Sequence, residues 1–385
     1  MHRPRQSTCR EDEPVRVVIL STADFHSAAW TNKQHLAREL ARRLPVTYIE
    51  SFGLRKPTLG ATDLRRMVGR LQSSRTVTNS SPNTWGVEVV HPIVIPLHGV
   101  APVRALNKHL VKRLPVEGDD AVLWTFSPVT YGLEERFART VYHSVDLLHA
   151  QHRSHRELCL AGEASLLTKA DRVIASSSGV FDHLRNMGRD DVLLWENVAD
   201  TGLYEAANET RTPRAVFAGN LTPSKVDFDL LRSLATAGVP VVVAGPTSVD
   251  GTSAQREMDD LFALPGIDYV GNLAPPDLAR LLASSMVGLI PYRLNEYTAG
   301  VFPLKVYEYL AAGLRVVSTA LPSLERTASD DVVLAGGESF LHAVQEGLDT
   351  WSEQAAARRR ALARGHSWQA RGEQALALID ELFRS

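Results

Sequence analysis

Apolar residues fall into two alternating patterns along the chain. Short runs dense in Val, Ile and Leu, at residues 15–21 (VRVVILS) and 46–49 (VTYI), read as buried strands. Between them, residues 30–44 place Leu36, Ala37 and Leu40 at helical spacing. Strand, helix, strand is a βαβ unit, the building block of a parallel sheet. The same reading predicts strands at 87–90, 121–125, 140–143 and 172–175, and helices at 103–114, 157–169 and 179–185. A second series follows the polar stretch 205–213 (EAANETRTP). Its strands fall at 214–218, 239–244, 267–270, 287–291 and 315–318, and its helices at 226–237, 254–264, 276–283 and 304–312. Residues 367–383 carry a last helical pattern with no strand after it.

The pattern predicts an α/β fold built from two Rossmann-like, doubly wound domains facing across a cleft. The expected divisions are a polar tail (1–13), a first domain (14–200), a second domain (201–366) and a C-terminal helix (367–385) packing back on the first domain. Dehydrogenases, periplasmic binding proteins and nucleotide-sugar transferases share this plan, with the ligand expected between the domains. Motifs must choose among them.

Composition narrows the classes. At 44% hydrophobic and 22% charged residues the chain is ordinary globular protein, which excludes extensive disorder. No apolar run reaches the roughly 20 residues of a membrane span, and residues 1–13 hold no apolar leader segment, so a cytoplasmic location is expected. The two cysteines, Cys9 and Cys159, are too few for a disulfide framework or a zinc site. The net charge of −2 divides into +4 over residues 1–200 and −6 over 201–385, without the concentrated basic surface of a nucleic-acid binder. Residues 64–75 and 103–113 are basic and amphipathic, which leaves open peripheral contact with the inner face of a membrane.

No G-x-G-x-x-G follows the first strand, which argues against a nicotinamide dehydrogenase. P-loop and H-E-x-x-H signatures are also missing. The D-x-D at Asp227–Asp229 falls in the first turn of a predicted helix, where acids complement the dipole, so it is not read as a metal site. The informative stretch is 290–319 (IPYRLNEYTAGVFPLKVYEYLAAGLRVVST). A strand ends near Pro291, a loop runs through Gly300, and Pro303 is placed to open a helix. A helix N-terminus suits a phosphate, Lys305 adds a cation, and Glu308, one turn on, can accept two hydroxyl protons from a sugar.

These residues resemble the donor-binding signature of retaining GT-B glycosyltransferases of the "group 1" (family 4-like) class, in a P-x-K-x-x-E-Y-L-A-x-G variant. The resemblance gives Glu308 the nucleotide ribose. It gives the diphosphate and sugar to the cradle from Gly300 to Lys305, including Val301 and Phe302, with Thr298 and Ala299 leading into it. A second Glu of the family pattern is replaced by Gly300, with Glu296 the candidate substitute. Residues 216–227 (VFAGNLTPSKVD) resemble the family's G-R-L-x-x-x-K-G segment, in which Arg and Lys neutralise the leaving diphosphate. Gly219 and Lys225 match; the Arg position is Asn220, leaving Arg293 as the candidate replacement. Residues 241–246 and 268–278 resemble the segments flanking the base, with Gly245, Asn272 and Leu273 as contacts. Residues 194–200, 141–146 and 171–176 are also similar to family segments, and 30–44 resembles a subgroup acting on envelope glycans.

The resemblance implies a metal-independent, retaining hexosyltransferase. It would use a nucleoside-diphosphate sugar, UDP- or GDP-linked, as co-substrate and need no other cofactor. The acceptor would be an envelope glycan, a lipid-linked glycan or a small natural product. Lys225 and Lys305 would stabilise the leaving diphosphate, and His143 and Asp146, after a first-domain strand, would approach the donor sugar. Asp24, His26 and Lys33 fall in or just after the first strand's exit loop, where diphosphate or acceptor is expected. A nucleotide-sugar epimerase or phosphorylase, or an inactive nucleotide-sugar-binding protein, remains the alternative on the same fold.

Overall fold

The computed structural model describes residues 15–27, 30–54, 83–116, 118, 120–151, 154–249, 252–253, 255–299 and 301–384. The basic segment 64–75 lies outside the described residues. The chain forms two compact units. The first comprises Met1–Ser176, Val180–Trp195 and Gly372–Ser385; the second comprises Ser177–Gly179 and Glu196–Arg371. The division between the series thus falls at Trp195 rather than at residue 200, and the last helix joins the first unit only from Gly372 onward.

The first unit holds β1 (Arg16–Leu20), α1 (Asn32–Ala41), β2 (Val46–Ile49), β3 (Val87–Val90), α2 (Ala101–Val111), β4 (Ala121–Thr125) and β5 (Arg139–Ser144). It continues through α3 (Arg156–Lys169), β6 (Arg172–Ala175), most of α4 (Ser178–Asn186) and β7 (Leu193–Leu194). Its sheet runs β3-β2-β1-β4-β5-β6-β7 with every pairing parallel. Val17 to Leu20 are all fully buried, as expected where helices cover both faces of a parallel sheet.

The second unit holds α5 (Thr201–Glu205), β8 (Ala215–Ala218), α6 (Phe228–Thr236), β9 (Val241–Ala244), the short pair β10 (Ser248–Val249) and β11 (Thr252–Ser253), and α7 (Gln255–Phe262). Then come β12 (Ile267–Tyr269), α8 (Pro275–Ala283), β13 (Val287–Ile290), α9 (Glu296–Ala299), α10 (Lys305–Ala311), β14 (Arg315–Ser318) and β15 (Val332–Leu334). Three helices close the chain: α11 (Glu338–Asp349), α12 (Glu353–Arg364) and α13 (Trp368–Arg384). The sheet runs β12-β9-β8-β13-β14-β15, again all parallel. In α13, Ala375, Leu378, Ile379 and Leu382 bury their apolar face in the first unit's core with Val17, Leu40 and Trp124.

Two helix starts bear on the motif residues. The helix expected from residue 226 begins at Phe228, because Asp227 is its N-cap, its Oδ1 accepting from the Asp229 backbone N–H at 3.1 Å. Lys225 is therefore not at a helix start. The helix expected from residue 304 begins at Lys305, beyond Pro303, and is only seven residues long. It ends at Ala311, and Gly313 supplies the positive φ (84°) that turns the chain into β14.

Candidate donor and acceptor sites

Each sheet reverses its winding once, and in such sheets the ligand crevice lies at the carboxyl ends of the strands flanking that switch point. In the second unit the switch falls between β8 and β13, which end at Ala218 and Ile290. The two motifs singled out in the sequence leave these two strand ends, and the fold ties them together. Asp227 N donates to Pro291 O (2.8 Å), Arg293 N to Lys225 O (2.8 Å) and the Asn295 amide to Ser224 O (2.9 Å). Val226 and Tyr292 form a bridge, and the Lys225 ammonium sits 4.5 Å from the centroid of the Tyr292 ring. That cation–π contact holds the charge over the switch point.

Beneath this junction lies Tyr309 of α10, fully buried. The Ala218 backbone N–H donates to its hydroxyl at 2.9 Å, and the hydroxyl donates to Leu289 O at 3.3 Å, so one side chain clips the ends of β8 and β13. Gly288 makes room for the ring: a Cβ there would stand 2.3 Å from it. Gly219 and Gly245 are in a comparable embrace. Gly245 has φ 137°, and a Cβ on it would lie 1.9 Å from Gly219 O. The loops after β8, β9 and β12 are stacked by Gly219 N to Ala244 O and Gly245 N to Gly271 O. Asn220 and Asn272 are exposed on this rim, while Leu273 packs partly onto the core.

The loop after β13 is built by its own side chains. Thr298, fully buried, donates its hydroxyl to Arg293 O and accepts from Asn295 N, and its own N–H donates to Asn295 Oδ1. Thr298 therefore shapes the loop and turns its polar atoms inward. Val301 and Phe302 are buried, and their carbonyls accept from Ser323 Oγ and the Asn197 amide, both at 2.6 Å. They contribute frame rather than side-chain contact. Arg293 is exposed, its Nε donating to Val226 O at 3.2 Å, and Glu296 and Asn220 are also exposed. Ala299 closes α9, and Gly300 lies outside the described residues. Lys305 and Glu308 stand one turn apart on α10, joined at 2.5 Å. Buried Tyr204 lies beside Glu308, its hydroxyl pKa pushed up by burial and by that carboxylate. Sequence reasoning missed Tyr309, Asn197 and Tyr204. Only the Asn in residues 194–200 carried any signal, because a buried tyrosine reads as core.

In the first unit the switch lies between β1 and β4. Asp24 and His26 line a cavity of about 380 Å³ with Glu50, Ser51 and His91, at the ends of β1, β2 and β3. Glu50 organises it: one carboxylate oxygen accepts from Phe25 N (3.0 Å), the other meets His91 Nδ1 (2.6 Å). Gln34, fully buried, pins the loop by donating to Asp24 O and Ser27 Oγ. Lys33 does not line this cavity: it is buried, its ammonium 5.9 Å from the Phe126 ring centroid. Burial lowers its pKa, and the charge of Asp146 pulls the other way. His143 packs against Phe126, Trp124 and Trp195, and accepts from Trp124 Nε1 at 3.4 Å through Nδ1, which puts the neutral ring's proton on Nε2. His143, Asp146, Lys33 and Phe126 thus form one group in the first unit. Lys225, Arg293, Lys305 and Glu308 belong to the second.

Residues 228–377 match a family profile described as glycosyl transferase-like. TuaH of Bacillus subtilis (strain 168), named for a glycosyltransferase role in teichuronic acid biosynthesis, is 26% identical over 272 residues. The match covers 64% of this chain and spans 65% of that relative's length. Sucrose-phosphate synthase from Thermosynechococcus elongatus superposes with a TM-score of 0.70 at 17% identity, covering 96% of this chain and 99% of that one. Anabaena HepE, solved with UDP and glucose, superposes with a TM-score of 0.64 at 14% identity, covering 95% and 99%. The fold is GT-B, two Rossmann-like α/β units, and the second unit carries a glycosyl transferase-like segment that includes Lys305 and Glu308.

Proposed function

We propose that this protein is a glycosyltransferase that takes its sugar from a nucleoside diphosphate bound at the switch point of the second unit. The observation that carries the reading is the tie between the two motif loops at that point, Arg293 N to Lys225 O at 2.8 Å and the Val226–Tyr292 bridge, with Tyr309 of α10 clipping the ends of β8 and β13. In this reading Lys225, Arg293 and Lys305 serve the diphosphate and Glu308 the ribose. The Lys305–Glu308 pair holds both side chains in place before a donor arrives, and a nucleotide would exchange that contact for phosphate and hydroxyl partners. Anabaena HepE, solved with UDP and glucose, supports a UDP-linked donor.

The mechanism that fits these groups is retention with front-side attack, without a metal. The leaving diphosphate gains charge as the glycosidic bond breaks, and fixed cations stabilise it at no cost of reorganisation. A departing phosphate oxygen takes the acceptor's proton, so no protein base is needed. We assign His143 and Asp146 of the first unit to hydrogen bonds with sugar hydroxyls. The Asp24–Glu50–His91 cavity offers carboxylates and imidazoles to a hydroxyl-rich acceptor of the envelope-glycan kind. Transfer from α-linked UDP-glucose should give an α-linked product, read by the anomeric coupling in proton NMR, at a rate unchanged by added Mg²⁺. A β-linked product, or strict dependence on Mg²⁺, would contradict this mechanism.

A lipid-linked acceptor is favoured by one surface. Ile93, Leu97, Val100 and Leu106 are exposed around α2, beside the exposed Lys108, Lys112 and Arg113. Apolar side chains flanked by cations suit an anionic bilayer surface, each Lys or Arg adding about 1 kcal/mol. The protein should float with vesicles containing anionic lipid at low salt and be released at high salt. Equal flotation with purely zwitterionic vesicles would remove the anionic-surface reading, and flotation with neither would remove membrane contact.

A further inference from the structure

We propose that His149, Glu163 and His183 in the first unit form a zinc-binding site. The three side chains come from a 3₁₀ turn (Leu148–Ala150), α3 and α4, and their ligating atoms all lie within 4.8 Å of one another. His183 Nε2 stands 3.0 Å and His149 Nδ1 3.7 Å from the same carboxylate oxygen, Glu163 Oε2. Tetrahedral zinc at about 2.0–2.1 Å from N and O ligands sets those ligands roughly 3.4 Å apart. The two measured separations bracket that spacing.

Two further observations favour a metal over a simple ion pair. His149 is 6% exposed, and its Nδ1 has no hydrogen-bond partner among the described residues. At 3.7 Å from Glu163 it is beyond hydrogen-bond reach, and a buried unsatisfied nitrogen is costly unless something binds it. The other oxygen of Glu163 accepts from the buried Tyr142 hydroxyl at 2.8 Å, the kind of outer contact that orients a carboxylate toward a metal. The donor set of two imidazoles and one carboxylate suits zinc, with a fourth position for water. The ring centroids of His149 and His183 are 4.6 Å apart, close enough for both imidazoles to reach one ion.

The site would brace a particular piece of chain. His149 follows Asp146 within one turn, and Ser154 donates to its carbonyl at 3.0 Å. A metal there would fasten the exit of β5, which carries His143 and Asp146, to α3 and α4. Residue spacing carries no sign of this site, since its ligands are separated by whole elements and include no cysteine. The proposal is independent of the donor-site reading.

The test is titration with ZnCl₂ alone of the full-length protein stripped with chelator, followed by calorimetry and by the melting temperature. One zinc per chain should bind and raise the melting temperature. His183→Gln, at the more exposed ligand, and His149→Gln should each weaken binding at least about 100-fold, while a Cys9→Ser/Cys159→Ser double variant should bind as wild type. Should a histidine variant fail to fold, Co²⁺ added to the stripped wild type decides instead. Tetrahedral d–d bands without thiolate charge transfer are the expected spectrum. No zinc uptake, zinc binding undiminished in both histidine variants, or a thiolate or octahedral cobalt spectrum would overturn the proposal.

Discussion

Lys225→Ala should lower kcat about 100- to 1,000-fold, the loss measured when one preorganised donor to a developing anion is removed. The Lys225 ammonium is fixed over the Tyr292 ring, and its backbone is clamped by Arg293 and by the Val226–Tyr292 bridge, so the charge is held in place before substrate arrives. Charge on the diphosphate grows as the bond to the sugar breaks, so the lysine contributes more in the transition state than in the bound ground state. The expected signature is a fall in kcat with KM for the acceptor nearly unchanged. The side chain is half-buried, and the cation–π contact with Tyr292 that it loses is worth about 0.5–1 kcal/mol, so the melting temperature should move little. An unchanged kcat in a folded variant would remove Lys225 from the chemistry.

Asp331→Asn should destabilise the second unit by about 3–5 kcal/mol, the cost of leaving a buried charge without its partner. Asp331, at the start of β15, accepts from Arg358 Nε and Nη2 (3.0 and 2.8 Å) and from Arg359 Nε (2.8 Å), tying the strand to α12. Arg359 is only 5% exposed; an amide in place of the carboxylate leaves that guanidinium without its counter-charge. For a unit of this size the loss corresponds to a fall of roughly 6–20 °C in melting temperature. Burial pushes the Asp331 carboxyl up, but the hydrogen bonds from Arg358 and Arg359 outweigh it and hold it below its ordinary value. The stabilisation is therefore present above the unfolded carboxyl pKa of about 3.9 and lost as pH falls through the lower folded value. The gap between wild type and variant, measured by urea unfolding, should be constant from neutral pH down to about 5 and shrink below 4. A gap that widened on acidification would contradict this account of the pair.

The sheets were legible because their strands are continuous Val/Ile/Leu runs, a signal that needs no partner to be read. Of the three closing helices, α13 was legible and the two before it were not. α11 and α12 follow β15, whose three residues give too short a run to read, and α12 is rich in Arg and Ala with little apolar periodicity. Lys225, Lys305 and Glu308 could be nominated because their motifs are contiguous in sequence. Tyr309 was passed over although it lies inside one of those motifs, because its role depends on Gly288 opening a space beneath it from another strand. Lys33 was grouped with Asp24 and His26 by nearness in sequence. α1 carries it away from their cavity and buries it beside Asp146. Thr298 was expected to touch the donor, yet its hydroxyl closes the loop on itself, a choice set by Asn295 and Arg293 that spacing alone does not reveal.

The most direct test of the account is the melting temperature of wild type and Glu308→Ala with UDP, GDP, ADP and dTDP. A nucleotide at about 100 times its Kd adds about 2.7 kcal/mol of stability to the unit that binds it, a rise of roughly 5–10 °C for a unit of this size. The account predicts that one nucleotide, UDP foremost, raises the melting temperature of wild type and that Glu308→Ala loses most of that rise. No rise with any nucleotide, or an equal rise in the variant, would contradict a donor site at the switch point of the second unit.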